Sequence, residues 1–194
     1  MTIGCVVMAA GDARRFGENK LSAEVGGRTL IERALDAVPW EYFHRTAVVT
    51  QYPEVEALAA DRAFAPVHNA HPDWGISHTI RLGLDALEPC DAALFLVSDQ
   101  PLLRRESVAA EVEFYLKHPD NLVGLGHNGV RGNPCIFPAR YFPELRRLRE
   151  DRGGSSVIRA HESELLLVEV PACELEDIDT RQALRAMSER RKLV

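Results

Sequence analysis

The sequence predicts an α/β protein: a three-layer, Rossmann-like arrangement with a mostly parallel sheet and an antiparallel edge hairpin. Three observations carry this. Short apolar runs of strand length recur along the chain, as in Ile3–Val7, Ala47–Val49 and Ala92–Val97. Between them lie stretches whose apolar residues fall at helical spacing, and such alternation implies helices covering both faces of a parallel sheet. Near the C-terminal third, Asn128-Gly129 sits between two apolar segments, 122–126 and 134–137, which is good hairpin chemistry.

Each element has its own signal. Ile3–Val7 is a buried first strand, and Leu21–Gly27 closes the loop after it and ends in a Gly-Gly turn. Thr29 caps a helix carried by Leu30, Ala34, Leu35 and Val38. Arg45–Thr50 is the second strand, Pro53 opens a short helix through Val55, Leu58 and Ala59, and Ala65–Val67 is the third strand. Gly75 and Ser77 mark the start of a helix running to Leu87. Asp91–Val97 is a buried central strand. Ser107 is the expected cap of a helix reaching Lys117, packed through Val108, Val112, Tyr115 and Leu116. A strand over 122–126, a polar Gly-rich turn over 127–133 and a strand over 134–137 form the hairpin. Residues 141–149 read as helix, 165–170 as strand, and Thr180 caps a last helix. The expected organisation is a single domain over residues 1–188 with a charged tail over 189–194.

Composition bounds the function. The chain has 194 residues, enough to bury a substantial core, with 46% hydrophobic and 27% charged residues, as in ordinary globular proteins. A net charge of −6 argues against a general nucleic-acid binder, which would be basic. The apolar run Ala92–Val97 is far shorter than the ~20 residues that span a bilayer. No signal-peptide pattern is visible, and Cys5, Cys90, Cys135 and Cys173 are scattered without a C-x-x-C pair. The expectation is a cytoplasmic protein with reduced thiols and neither membrane nor nucleic-acid partners. His68 and His71 have the spacing of weak metal ligands, but no third ligand follows nearby, and they read as solvated loop histidines.

The most informative stretch is the loop that follows the first strand, Met8 to Lys20. Ala9, Ala10 and Gly11 carry almost no side chain, so a ligand can approach the backbone and meet consecutive N–H groups. Arg15 and Lys20 follow four and nine residues beyond Gly11 and can fold over an anion held there. The loop is neither a P-loop, which needs Gly-Lys-Ser/Thr, nor a G-x-G-x-x-G fingerprint. Asp99, in Ser98-Asp-Gln-Pro101, sits at the end of the central strand, where a parallel sheet directs side chains into its ligand crevice. Magnesium takes one or two carboxylates plus substrate phosphates, so Asp99 is a candidate anchor.

These segments, in this order, resemble the nucleotidyltransferases, and among them the molybdenum cofactor cytidylyltransferase group. The loop is similar to that family's L-A-A-G-x-S-x-R-x-G-x-x-K signature, with Met8 for the Leu and Ala13 for the Ser. The stretch from Asn69 to Gly83 resembles its N-x-x-x-x-x-G-x-S-x-S-x-x-x-G element, with Thr79 for the second Ser. Asp99-Gln100-Pro101 resembles its D-x-P element, and Gly132-Asn133-Pro134 its G-N-P form of the acceptor-facing hairpin, where G-H-P is the alternative. Residues 150–155 resemble G-D-x-G-A-R, with Glu150, Gly154 and Ser155 departing; the Arg lost at Ser155 would contact substrate phosphate. Asp177-Ile-Asp179-Thr180 resembles D-I-D-T-P, with Arg181 for the Pro. The resemblance runs from Val6 to Leu184 and implies the nucleotidyltransferase fold.

The resemblance implies transfer of CMP from CTP to a phosphorylated acceptor, molybdopterin, with release of pyrophosphate. It assigns Ala9, Ala10, Gly11, Arg15, Lys20, Asn69, Gly75 and Ser77 to the nucleotide. It assigns Gly132, Asn133, Asp151 and Gly153 to the acceptor. Arg15, Lys20 and Asp99 are the expected catalytic residues, and Asp99 with Asp179 the expected Mg²⁺ ligands, with Asp177 the alternative to Asp179. Implied partners are CTP or another NTP, molybdopterin, and a molybdoenzyme that receives the cofactor. Three readings stay open beside it. Guanylyl transfer is one, although guanylyl enzymes on molybdopterin usually carry Gly-Gly where Ala10-Gly11 stands. An NAD(P)-dependent reductase lacks its G-x-G-x-x-G loop here. A non-catalytic insertion chaperone would not need Lys20 and Asp99.

Overall fold

The computed structural model describes residues 1–11 and 19–192. Its elements in chain order begin with β1 (Ile3–Ala9), the small pair β2 (Glu24–Val25) and β3 (Arg28–Thr29), and α1 (Leu30–Asp36). There follow β4 (Arg45–Thr50), α2 (Pro53–Asp61), β5 (Ala65–His68), α3 (Ile76–Leu87), β6 (Ala92–Val97) and α4 (Arg105–Lys117). The chain closes with β7 (Leu122–His127), β8 (Val130–Pro138), α5 (Phe142–Arg147), α6 (Ser155–Ala160), β9 (Leu165–Glu169) and α7 (Arg181–Lys192). Among the described residues, no helix is long and apolar enough to cross a membrane.

Seven strands form one sheet in the order β5-β4-β1-β6-β8-β7-β9. All run in one direction except β8, which is antiparallel to both β6 and β7. Along the chain the strands step outward from β1 to β4 and β5, then return to β6 on the other flank of β1. Strand order therefore reverses at β1, which pairs with β4 and β6 together, and ligands of open α/β sheets bind outside the carboxyl ends at such a reversal.

Two apolar layers flank the sheet. Cys5, Val7, Leu94 and Leu96 face α1, α2 and α4 through Leu35, Val55, Val108 and Val112. Val6, Val49 and Phe95 face α3, α5 and α6 through Leu84, Leu145 and Ile158. Alternating residues of β1 thus serve opposite layers, as strand geometry requires. A third cluster, with Val25, Leu30, Ile178 and Met187, docks α7 on the β2–β3 pair.

The hairpin is tighter than the polar stretch 127–133 implied. Asn128 (φ 50°) and Gly129 (φ 77°) make a two-residue turn of left-handed backbone, the form that matches strand twist, and β8 resumes at Val130. β8 lies inside the sheet, paired with β6 and β7, and β9 adds a parallel strand beyond β7.

Two local expectations are corrected. Ser107 is not the cap of α4: the helix begins at Arg105, because the buried Glu174 carboxylate accepts from Arg104 N at 3.1 Å and from Arg104 Nε at 2.6 Å and fixes the start. Leu116 is 47% exposed, since the inward stripe of α4 is Val108, Glu111, Val112 and Tyr115. The final helix spans Arg181–Lys192 and so includes part of the charged segment over 189–194. The Thr29 cap is observed with its full box: Glu32 N donates to Thr29 Oγ1 at 3.2 Å and Thr29 N to Glu32 Oε2 at 2.8 Å.

Candidate active site

The ends of β1 and β6 lie side by side, with Met8 opposite Val97, so the loop after β1 and Asp99 after β6 share one rim of the sheet. Ser98 ties them, its Oγ donating to the Met8 carbonyl at 2.9 Å. The other flank of the loop is clasped by three consecutive residues at the end of β4. Thr50 Oγ1 donates to Ala9 O at 3.0 Å, Gln51 Nε2 to Ala10 O at 3.0 Å, and Tyr52 Oη to Gly11 O at 3.2 Å. With these carbonyls anchored, the small residues 9–11 are held in a fixed course. Ala9 and Ala10 are buried and Gly11 is exposed. A Cβ on Gly11 would meet no described atom within 4 Å, so internal packing does not demand glycine there. Arg15 lies outside the described residues.

Lys20 joins distant parts of the chain. Its Nζ donates to Asp99 Oδ2 at 2.9 Å, to Asp179 Oδ1 at 3.3 Å and to the Ile178 carbonyl at 3.2 Å. The segment that brings Asp179 is stitched to β6 by Ile178 N, which donates to Asp99 O at 2.9 Å, and anchored by the buried Ile178 side chain. Burial pushes the Lys20 ammonium down, but Asp99 and Asp179 outweigh it and hold the group above its usual value. Asp177 is the third carboxylate here. Burial, then Asp99, then Asp179 push it up to about 6 against the opposing pull of Gln100 and Lys20. Among the described residues, no group of three His, Cys, Asp or Glu side chains forms a ready-made metal cage. His68 instead pairs with Glu56 at 2.6 Å and His71 stacks on Trp74 at 4.1 Å.

The segment expected to meet the base is held from within. Asn69 is 1% exposed; its N donates to Thr50 O at 2.7 Å, its Nδ2 to Thr79 Oγ1 at 3.2 Å, and its Oδ1 accepts from His71 N at 3.0 Å. Gly75 has φ 80° and ψ 179°, a conformation that is essentially glycine's alone. A Cβ there would stand 2.4 Å from the Glu150 carbonyl. Ser77 N donates to that same carbonyl at 3.1 Å, while Ser77 Oγ is buried with no partner among the described residues. The start of α3 is therefore welded to the 150–154 turn, which brings Asp151 and Gly153 beside the segment expected to meet the base.

A cavity of about 510 Å³ opens next to the carboxylates, lined by Gln100, Arg131, Gly132, Asn133, Ser155 and Asp177 among others. Two expected acceptor residues, Gly132 and Asn133, thus share a cavity with Asp177. Arg131 and Gln100 were missed from the sequence; Arg131 carried a signal only as the cation adjoining Gly132-Asn133-Pro134. The Thr50–Tyr52 clasp had none, because it depends on β4 lying beside β1.

Residues 5–165 match the MobA-like NTP transferase domain. The purine catabolism protein PucB of Bacillus subtilis is 25% identical over 200 residues, covering 94% of this chain and 96% of that protein. In fold, the chain is similar to a nucleotidyl transferase from Methanothermobacter (TM-score 0.81, 22% identity, covering 100% of this chain and 99% of that one). It is also similar to Rv0371c of Mycobacterium tuberculosis in complex with manganese (TM-score 0.77, 20% identity, 97% and 99% covered). With a domain match over most of its length, and with a loop, a lysine and carboxylates gathered at the strand-order reversal, the chain belongs to the MobA-like NTP transferase family of nucleotidyltransferases.

Proposed function

We propose that the chain transfers CMP from CTP to the phosphate of molybdopterin, releasing pyrophosphate. The observation that carries this reading is the joining of Lys20 to Asp99 and Asp179 beside a clasped Ala9-Ala10-Gly11 turn. The turn would receive the phosphates of the nucleotide through its N–H groups, with Arg15 over the leaving pyrophosphate. Lys20 would leave its carboxylates to neutralise charge at the α-phosphate. Asn69 shapes the base segment through its internal hydrogen bonds, while Gly75 and Ser77 present the start of α3, a positive dipole end, to the sugar and base.

The residues fit a divalent cation. Their donors are hard carboxylate oxygens, and two of them already share a positive charge, that of Lys20. Asp99 and Asp179 would hold Mg²⁺, with Asp177 beside them. Bound with the triphosphate, Mg²⁺ supplies charge neutralisation on the phosphate oxygens.

The chemistry needs no protein nucleophile. A phosphate monoester is largely dianionic near neutrality, since its second pKa is about 6. One acceptor phosphate oxygen attacks the α-phosphorus, a new P–O–P bridge forms, and the bond from that phosphorus to the β-phosphate oxygen breaks with its electron pair leaving on pyrophosphate. The protein contributes position and charge. Gly132 and Asn133 at the cavity, with Asp151 and Gly153 in the adjoining turn, would orient the acceptor.

A thermal-shift screen of CTP, GTP, ATP, UTP and NADPH, each with Mg²⁺, tests the reading. A ligand at a hundredfold excess over Kd stabilises by ~2.7 kcal/mol. CTP should raise Tm most, and CTP with molybdopterin should release pyrophosphate. Equal or larger stabilisation by GTP overturns the choice of base, and stabilisation by NADPH alone points to a reductase.

A further inference from the structure

The cavity beside the carboxylates has a polar wall that the transfer reaction, as described, does not use. Arg131 projects from β8 just after the hairpin turn and is partly buried. Its Nη1 donates to the Gly132 carbonyl at 3.2 Å and reaches Cys135 Sγ at 3.5 Å, and its Nη2 donates to Ser155 Oγ at 3.1 Å. All three partners are neutral, so they aim the guanidinium without cancelling its charge. Several other arginines are paired with carboxylates: Arg104 with Glu174, Arg140 with Glu164, Arg146 with Asp85 and Glu88. Among the described residues the hydrogen-bond partners of Arg131 include no carboxylate. In the same cavity Gln100 is only 4% exposed, its Nε2 donates to Leu175 O at 3.2 Å, and its Oε1 is buried with no partner among the described residues. An aimed, uncompensated guanidinium is a fork for an oxyanion, and an orphaned amide oxygen calls for a donor.

We propose that Arg131 binds an oxyanion group of the acceptor, a phosphate or a carboxylate, while Gln100 Oε1 accepts from an N–H or O–H of the same molecule. This rests on the reading above that the cavity receives the acceptor. Acceptors lacking an oxyanion at that place are then poor substrates, and Arg131 sets acceptor choice. Because Arg131 and Ser155 touch, a guanidinium planted at either position can serve the same spot.

The test has two arms. In the first, the Arg131 Nε–Hε signal is identified in a ¹⁵N–¹H spectrum by its loss in Arg131→Lys, and the wild-type protein is titrated with inorganic phosphate and, separately, acetate. A saturating shift with phosphate as the stronger ligand assigns a phosphate, and one with acetate as the stronger assigns a carboxylate. No movement with either overturns the proposal. In the second arm, kinetics are run with CTP and molybdopterin. Arg131→Ala should raise the acceptor KM at least tenfold with the CTP KM unchanged, and Arg131→Ser combined with Ser155→Arg should recover most of that loss. Full turnover by Arg131→Ala at an unaltered acceptor KM overturns the proposal and leaves the transfer reading intact. Absence of turnover in the wild type sinks the transfer reading, and the titration alone then decides Arg131.

Discussion

The Lys20 ammonium meets the Asp99 carboxylate at 2.9 Å across a sequence separation of 79 residues. Both side chains are largely shielded, at 20% and 25% exposure, at the rim where the first and central strands end. The pair therefore ties the mouth of the loop to the floor of the crevice, and its energetic value is modest because water still reaches it.

Lys20→Ala should lower turnover by roughly 10²–10³, the usual cost of one positioned charge donor. Its effect on Tm should be small, since the pair is part-exposed. Pyrophosphate release beside a melting curve checks both; near-normal turnover would mean that Lys20 acts on Asp99 and Asp179 alone.

Asp99→Asn should abolish Mg²⁺-dependent transfer and leave measurable CTP binding through the turn and Lys20. Asp179→Asn should be milder, because it is the more exposed carboxylate, at 62%, and an amide oxygen can still ligate the ion. Product formation with Mg²⁺ titrated, run beside a CTP isotherm, decides it, and a wild-type rate for Asp99→Asn at limiting Mg²⁺ refutes the metal role.

Asp177 should titrate with a midpoint near 6 in a ¹³C carboxyl NMR experiment on the protein without nucleotide. Its folded pKa exceeds its ordinary value of 3.8, so the folded state holds the proton more tightly. Its contribution to stability is thus complete below 3.8 and is lost as pH rises through about 6. Asp99→Asn removes a neighbouring negative charge and should lower that midpoint; an unchanged midpoint would disprove the coupling.

Glu111 is fully buried on the inward stripe of α4, and neither carboxyl oxygen has a partner among the described residues. Burial pushes its pKa well above the usual 4.5. Stability must then fall as pH rises above 4.5, because the folded state keeps a proton that the unfolded state releases. Glu111→Leu should stabilise at pH 7 by about 1–3 kcal/mol, the cost of an unsatisfied buried polar group, and should flatten the pH dependence. Urea denaturation at pH 5 and pH 8 gives the comparison, and equal slopes for the two proteins would contradict it.

What the sequence made legible was local. The Ala9-Ala10-Gly11 turn, Asp99 after a six-residue apolar strand, the Thr29 cap and the Asn128-Gly129 turn each announce themselves within a few residues, since strand period and turn chemistry act at that range. Elements that depend on distant partners were hidden. α4 starts where Glu174 holds it, not where Ser107 invites a cap. Glu111 is absent from the apolar spacing of its helix, and its burial follows only from laying α4 against the sheet. The welding of Gly75 to Glu150 and the contact of Arg131 with Ser155 join segments 75 and 24 residues apart in sequence, and no spacing within either segment encodes them.

The reach between Lys20 and Asp179, a sequence separation of 159 residues, has a consequence for biogenesis. At ribosomal rates of about 5–20 residues per second, roughly ten to thirty seconds pass between making the lysine and making its second carboxylate. β1 gains its β4 neighbour early but waits for residues 92–97 before its other edge is covered. A nascent chain therefore carries an open strand edge and a lone lysine for much of its synthesis. The Lys20 site is complete only when the last segment docks, so a ribosome stalled before Ile178 would display a chain that lacks this closure and offers chaperones an unfinished rim.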